Sequence, residues 1–207
     1  MFDNKKVTNL ITVGFTEKKG LEYGIRAVAK LVSSGHNLHY NIVGDGQLKG
    51  KIQSLINDHN MENVVTLCGF RDQTELIDLV ADADFMIAPS ITTATGDQEG
   101  IPNVLKEAMA TGLPVISTRH AGIPELVHEG ISGFLVPERD IDALAEKMNF
   151  LIRHPEKAVE MGKAGIAFVR QEYDIDKLND RLVMRYESLL SGAKILVKVN
   201  YLPAKGR

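Results

Sequence analysis

With a single cysteine, Cys68, the chain has no internal partner for a disulfide, so a stapled scaffold is excluded. Cys68 sits in the apolar run Val64-Val65-Thr66-Leu67-Cys68 and reads as a buried small hydrophobe rather than a nucleophile. Basic charge is not in excess: 24 Lys and Arg stand against 27 Asp and Glu, giving a net charge of −3 and no basic stripe, which argues against nucleic acid as a partner. No apolar stretch approaches membrane-spanning length. The opening Met1-Phe2-Asp3-Asn4-Lys5-Lys6 lacks the apolar core of a signal peptide, so the expected location is the cytoplasm, with the inner face of the membrane as an option. The six histidines are scattered and have no zinc-ligand spacing with cysteine, and no glycine-rich run ends in Lys-Ser or Lys-Thr. Neither a metal nor a phosphate-loop hydrolase is implied.

What is present is enough apolar material for a substantial core: 44% of 207 residues. Short apolar runs alternate with amphipathic stretches. Strands are expected at Leu10 to Gly14, Leu38 to Val43, Val64 to Leu67, Phe85 to Ala88 and Val115 to Ser117. Helices are expected from Leu21 to about Ser34, after Gly46 to about Asp58, and from Asp72 to near Ala83, where Asp72 and Glu75 have capping-box spacing. This alternation predicts an α/β fold, a Rossmann-like doubly wound parallel sheet with helices on both faces. Three further helical segments, 140–153, 155–171 and 174–190, add an α-helical C-terminal section without a Pro/Gly/Ser-rich linker. Residues 1–190 therefore count as one domain, and 191–207 as a tail of uncertain status. Ligands of such sheets lie beyond the carboxyl ends of the strands, where Gly14, Gly44, Gly69, Pro89 and Ser90 fall.

The most specific local pattern is Glu99-Gly100-Ile101-Pro102-Asn103-Val104-Leu105-Lys106-Glu107. Proline favours the first helical position, so Gly100 or Ile101 is expected to cap a helix whose free N–H groups, at Asn103 and Val104, can face a phosphate. Gly100 has no side chain to block the approach. Glu99 stays on the loop and Glu107 lies about one turn inside, so the two carboxylates bracket the anion position; each can accept from paired hydroxyls, one of a sugar and the other of a ribose. Standing alone, the pair reads more readily as a surface helix with two ordinary glutamates, since short motifs match by chance.

Other candidates are more evenly poised. Gly44-Asp45-Gly46 follows a strand and precedes a helix, but Gly50 is one place too far for the dinucleotide pattern, and a tight turn explains the glycines as well as ligand contact does. Lys18 and Lys19 open a helix, where cations oppose the macrodipole; a diphosphate beside Lys19 would justify the charge, and simple solvation is the alternative. Asp82-Ala83-Asp84 imitates a two-aspartate metal motif but straddles a helix-to-strand boundary and reads as structural. Gly-Ile-Pro recurs at 122–124, and both copies are taken as helix starts.

Taken together in order, Val13-Gly14, Glu17-Lys18-Lys19-Gly20-Leu21-Glu22, Val43-Gly44-Asp45-Gly46, Gly69-Phe70, Ala88-Pro89-Ser90, the Glu99/Glu107 element, Glu107 through Val115 and Gly130 through Val136 resemble the C-terminal, donor-binding half of a GT-B glycosyltransferase of family 4. The resemblance covers about residues 7 to 190, and Gly96 through Pro102 is similar to members that assemble bacterial exopolysaccharides. It implies a retaining, metal-independent hexose transfer from a UDP- or GDP-sugar to a glycan or lipid-linked acceptor, with no cofactor required. It also implies roles. Glu99 would meet hydroxyls of the donor hexose, Gly100, Ile101, Pro102, Asn103 and Val104 would present backbone to hexose and diphosphate, and Glu107 would hold the ribose. Lys19 would neutralise phosphate, Phe70 and Arg71 would lie against the base, and Gly14, Gly44, Asp45 and Gly46 would line the site.

Two departures stand out. Phe15 occupies the place where the family usually has arginine, which implies one phosphate contact fewer, and the acceptor-binding N-terminal half is not in the sequence, so the chain alone is expected to bind donor without turnover. The alternating tail from Ala193 to Pro203 resembles the opening strand of such an N-terminal half and is taken first as a chance match, with a rearranged or fused segment as the alternatives. Two other functions stay open: a nucleotide-sugar binding module without transfer, and a phosphorylase or epimerase relative.

Overall fold

The computed structural model describes residues 7–191; the opening hexapeptide and nearly all of the 191–207 tail lie outside them. β1 (Thr8–Val13) leads through a 3-10 turn (Glu17–Lys19) into α1 (Leu21–Ser33). Leu21, Ile25, Val28 and Leu31 recur at helical spacing and are buried, which is why this segment coils against the sheet. β2 (Leu38–Val43), α2 (Lys49–Asp58) and β3 (Val65–Gly69) follow. α3 (Gln73–Ala81) begins with both hydrogen bonds of the Asp72/Glu75 capping box, as its sequence predicts. After it come β4 (Phe85–Ala88), α4 (Asn103–Thr111), β5 (Val115–Thr118), α5 (Ile123–Leu126) and β6 (Gly133–Val136). The sixth strand was not expected from the sequence, and all four of its residues are buried.

The six strands form one parallel sheet in the order β3-β2-β1-β4-β5-β6. The chain thus winds outward from β1 in one direction and from β4 in the other, giving the doubly wound α/β fold and a crevice between the carboxyl ends of β1 and β4. α1 packs beside α2 and beside α6 (Ile141–Arg153), whose first turn is capped by the Asp140 side chain on the Ala143 N–H. At the centre of the core the Thr12 hydroxyl donates to the Ile87 carbonyl and receives the Tyr40 hydroxyl at 2.8 Å, so burying Tyr40 leaves no orphan. Burial pushes the Tyr40 phenol well above its ordinary value, and the Thr12 contact only partly opposes this.

Contacts group the chain into two compact units, Met1–Val169 and Arg170–Arg207. α7 (Pro155–Glu172) begins in the first, and α8 (Ile175–Leu190), capped by Asp174, lies in the second. No helix among the described residues is long and apolar enough to cross a membrane.

Gly162 of α7 meets the turn at the end of α4 so closely that a Cβ there would stand 2.0 Å from the Gly112 carbonyl oxygen. Helix propensity alone would make Gly162→Ala favourable by about 1 kcal/mol. The backbone clash predicts instead a net destabilisation of about 1–3 kcal/mol, to be read from the urea midpoint; an unchanged or raised midpoint would show that this packing is not as tight as described.

Candidate functional site

The connections after β1 and β4 meet at the switch point of the sheet, and three contacts join them. Ile91 donates its N–H to the Lys18 carbonyl at 2.9 Å, Lys18 Nζ lies 3.4 Å from Asp97, and Lys19 Nζ lies 3.0 Å from Glu99 Oε1. The two lysines therefore form part of a joint between loops. Lys19 is not a solvated surface lysine, since its side chain is only 15% exposed and that of Glu99 11%. The positive charge ahead of α1 has a counter-charge within the chain. Lys19 reaches Glu99 by running its stem over Gly14: a Cβ at Gly14, whose φ is +113°, would lie 2.5 Å from Lys19 Cε. Only glycine accommodates both that backbone and that crossing.

The start of α4 differs by one residue from the sequence expectation. Pro102 is the N-cap, with extended backbone, and Asn103 is the first helical residue; neither Gly100 nor Ile101 caps. The reason is geometric: proline fixes φ but not ψ, and here ψ is 129°. The consequence for an anion is unchanged. No side chain caps this helix, and among the described residues neither the Asn103 nor the Val104 N–H has a protein acceptor. Gly100 is exposed, and a Cβ on it would meet nothing within 4 Å, so internal packing gives no reason for a glycine there. Glu107, one turn in, is exposed and unpaired among the described residues.

Two buried side-chain atoms of the β4–α4 connection lack a hydrogen-bond partner among the described residues: Ser90 Oγ and Glu99 Oε1, the latter close to Lys19 without hydrogen-bond geometry. Buried polar groups are nearly always satisfied, at a cost of about 1–3 kcal/mol each when they are not, so Ser90 Oγ and Glu99 Oε1 retain capacity for a further hydrogen bond.

The remaining sequence candidates line the same edge in looser array. Gly44 and Gly46 press on Phe15: a Cβ on Gly44 would come 3.0 Å from Phe15 Cβ, and one on Gly46 2.8 Å from the Phe15 carbonyl. Their glycines are thus accounted for by packing. Phe15 itself is buried in the core, so it cannot substitute for a phosphate-facing arginine. Asp45 accepts from the Gly46 N–H and from Lys49, which together hold its carboxyl below the ordinary carboxylate range. Phe70, just beyond β3, is 81% exposed, an unusual state for a phenyl ring, and Arg71 pairs with Glu75 at 2.9 Å.

His120 and Glu138 were missed. His120 is buried, accepts the Glu99 N–H on Nε2 at 3.0 Å, and therefore carries its proton on Nδ1, which donates to Glu138 Oε1 at 2.6 Å. Glu138 also accepts from the Thr92 N–H at 2.9 Å, the Thr92 hydroxyl at 3.2 Å and Arg139 at 3.0 Å. Burial works to raise the Glu138 carboxyl, and the bonds from Thr92 and His120 outweigh it and hold it below the ordinary range. The stability this network contributes is present above the ordinary carboxylate range and is lost as pH falls through the lowered value. The missed signal was position: both residues come just after a strand, at the carboxyl edge of the sheet.

Cys68 is half-buried rather than enclosed, and burial pushes its thiol up, away from nucleophilic character. Asp82 follows the last residue of α3, and Asp84 accepts the Asn9 N–H at 2.8 Å, tying β4 to β1. A cleft of about 1020 Å³ opens at the opposite edge, near Thr8, Asn37, Asp84 and Leu113, and none of the expected site residues lines it.

A sequence-family model described as glycosyl transferases group 1 matches residues 3–168. Among curated relatives, the putative colanic acid biosynthesis glycosyltransferase WcaL of Salmonella typhimurium is 47% identical over 133 residues, 64% of this chain and 33% of its own length. The amylovoran biosynthesis glycosyltransferase AmsK of Erwinia amylovora is 42% identical over 159 residues, 77% of this chain and 39% of its own. The chain thus spans less than half the length of these relatives. Among solved structures, Anabaena HepE in complex with UDP-glucose superposes with a TM-score of 0.75 at 26% identity, covering 88% of this chain and 48% of that one. Sucrose-phosphate synthase from Thermosynechococcus elongatus shares the fold, with a TM-score of 0.78 at 24% identity over 93% of this chain and 47% of that one.

Replacing Lys19 by Met leaves the Glu99 carboxylate mostly buried without its counter-charge. The expected cost at neutral pH is about 1–2 kcal/mol, and the double variant Lys19→Met/Glu99→Gln should recover most of it, as urea unfolding would register. Additive losses would mean that the pair is not coupled.

Proposed function

Because the chain belongs to the glycosyl transferases group 1 family, we propose that residues 1–190 act as one donor-binding domain of an enzyme that moves a hexose from a nucleotide sugar to a glycan or lipid-linked acceptor. The observation that carries this reading is the β4–α4 connection. It combines an uncapped helix start, an open Gly100, two buried orphan oxygens and a carboxylate, Glu99, met at 3.0 Å by Lys19 from the connection after β1.

In this reading the diphosphate sits on the Asn103 and Val104 N–H groups, with Lys19 alongside. Helix end and ammonium then meet the negative charge that grows on the departing nucleoside diphosphate, so the chemistry asks for no metal. Donor binding opens the Lys19–Glu99 pair: the ammonium turns to phosphate and Glu99 accepts from hexose hydroxyls. Glu99 thereby positions the sugar and is not a nucleophile, in keeping with retention of the anomeric configuration. Glu107 holds the ribose, and Phe70 with Arg71 lies against the base. The colanic acid and amylovoran names of relatives support a growing exopolysaccharide as acceptor, and the UDP-glucose of HepE supports a UDP-sugar, with GDP-sugars the alternative suggested by mannosyltransferase relatives. A second domain supplies the acceptor side, so this chain binds donor without turnover. The expected place of work is the cytoplasm, at the inner face of the membrane.

Binding without transfer is the second reading, favoured by Phe15, which fills the core where the family resemblance leads one to expect a phosphate-facing arginine.

Calorimetry with UDP-, GDP- and ADP-sugars tests the site. One donor class should bind, and Glu107→Ala should weaken it by about tenfold or more through loss of charged hydrogen bonds to ribose. No binding by any nucleotide sugar, or indifference to Glu107→Ala, would overturn the assignment. Transfer to an acceptor by the chain joined to an N-terminal half separates enzyme from binder.

A further inference from the structure

Among the described residues, the network of Glu138, His120 and Thr92 is the most elaborate polar cluster that the proposed site does not use. It touches the site at one atom, the Glu99 backbone nitrogen. That contact is unusual in needing a specific tautomer. Nε2 must be an acceptor, and Glu138 enforces this by accepting a hydrogen bond from Nδ1–H at 2.6 Å, which keeps the proton on Nδ1. Glu138 is fixed in turn by Thr92, at the other end of the loop that carries Glu99, and by Arg139, which reaches the Thr92 carbonyl. Gln98, the residue before Glu99, also donates to the Thr92 hydroxyl at 3.2 Å. The loop from Thr92 to Glu99 is thus clamped at both ends by groups that follow β5 and β6.

The geometry points to His120 as a positioning residue for the donor sugar, with Glu138 holding the imidazole in the acceptor tautomer that fixes Glu99. The inference rests on the reading of Glu99 as the hexose contact, and it adds the device that holds it there. A flexible loop would have to be ordered by the sugar itself, at the expense of affinity; the clamp orders it in advance. The phosphate and ribose contacts at Asn103, Val104 and Glu107 lie beyond the clamp, on α4.

This separation defines the test. The sugar increment is the ratio of the dissociation constant of the bare nucleoside diphosphate to that of the matching nucleotide sugar, both measured on the chain by calorimetry. His120→Leu fills similar space without an acceptor, whereas His120→Gln keeps an amide oxygen able to accept the Glu99 N–H. His120→Leu should lower the sugar increment about tenfold and leave nucleoside diphosphate affinity within about twofold, and His120→Gln should restore most of the increment. Glu138→Leu should lower it comparably, with no further loss in the Glu138→Leu/His120→Leu double variant. Equal loss of both affinities, no loss, or no difference between Leu and Gln would overturn the positioning role. A wild-type chain that binds the nucleotide sugar no better than the diphosphate overturns the reading of Glu99 and this inference with it. Should the variants not fold, amide hydrogen exchange of the wild type decides: a protected Glu99 N–H supports the clamp, and a freely exchanging one refutes it.

Discussion

A carboxylate taken out of water has to be met by charge or by hydrogen bonds, and Glu99 is met mainly by one group, the ammonium of Lys19. Around that pair the ligand edge of the molecule is organised. Gly14 is glycine so that the lysine stem can cross it, and the 3-10 turn places the ammonium. Glu99 in turn is held by its backbone through His120. A closed ion pair with an unsatisfied carboxylate oxygen is a poised arrangement: each partner gains if a ligand offers phosphate to one and hydroxyls to the other.

The sheet explains why these residues meet although they are far apart in sequence. Winding reverses between β1 and β4, so the connections that follow them meet at the switch point, and the parallel strands deliver the other loops to the same edge. Lys19 follows β1, Glu99 follows β4, His120 follows β5 and Glu138 follows β6. Two further strands contribute Gly44 and Phe70. The cleft of about 1020 Å³ at the other edge shares none of this chemistry, and size alone does not make a site.

Much of this was legible in the sequence because it is local. Periodicity marked α1 and α6, the Asp72/Glu75 spacing marked the start of α3, and the strand-to-turn glycines marked the carboxyl ends of the strands. Glu99, Glu107 and Lys19 could be singled out by motif. What local pattern could not reveal is pairing across the fold: that Lys19 and Glu99 neutralise one another, and that His120 is joined to Glu99 across 21 residues. The first helical position of α4 was misplaced by one because a proline fits an N-cap as readily as the following site when ψ is extended. β6, which opens with Gly133, a residue that weakens a strand pattern, went unnoticed.

On the reading proposed above, the open end of α4, with Lys19 and Glu99 before it, receives the diphosphate and hexose of an activated sugar. A crystal structure of the chain soaked with its preferred nucleotide sugar tests it most directly. The expected result is phosphate oxygens within hydrogen-bond distance of the Asn103 and Val104 N–H groups, Lys19 turned from Glu99 to phosphate, and Glu99 on the sugar. A nucleotide sugar bound at another edge, or at this one with the Lys19–Glu99 pair still closed, would contradict it.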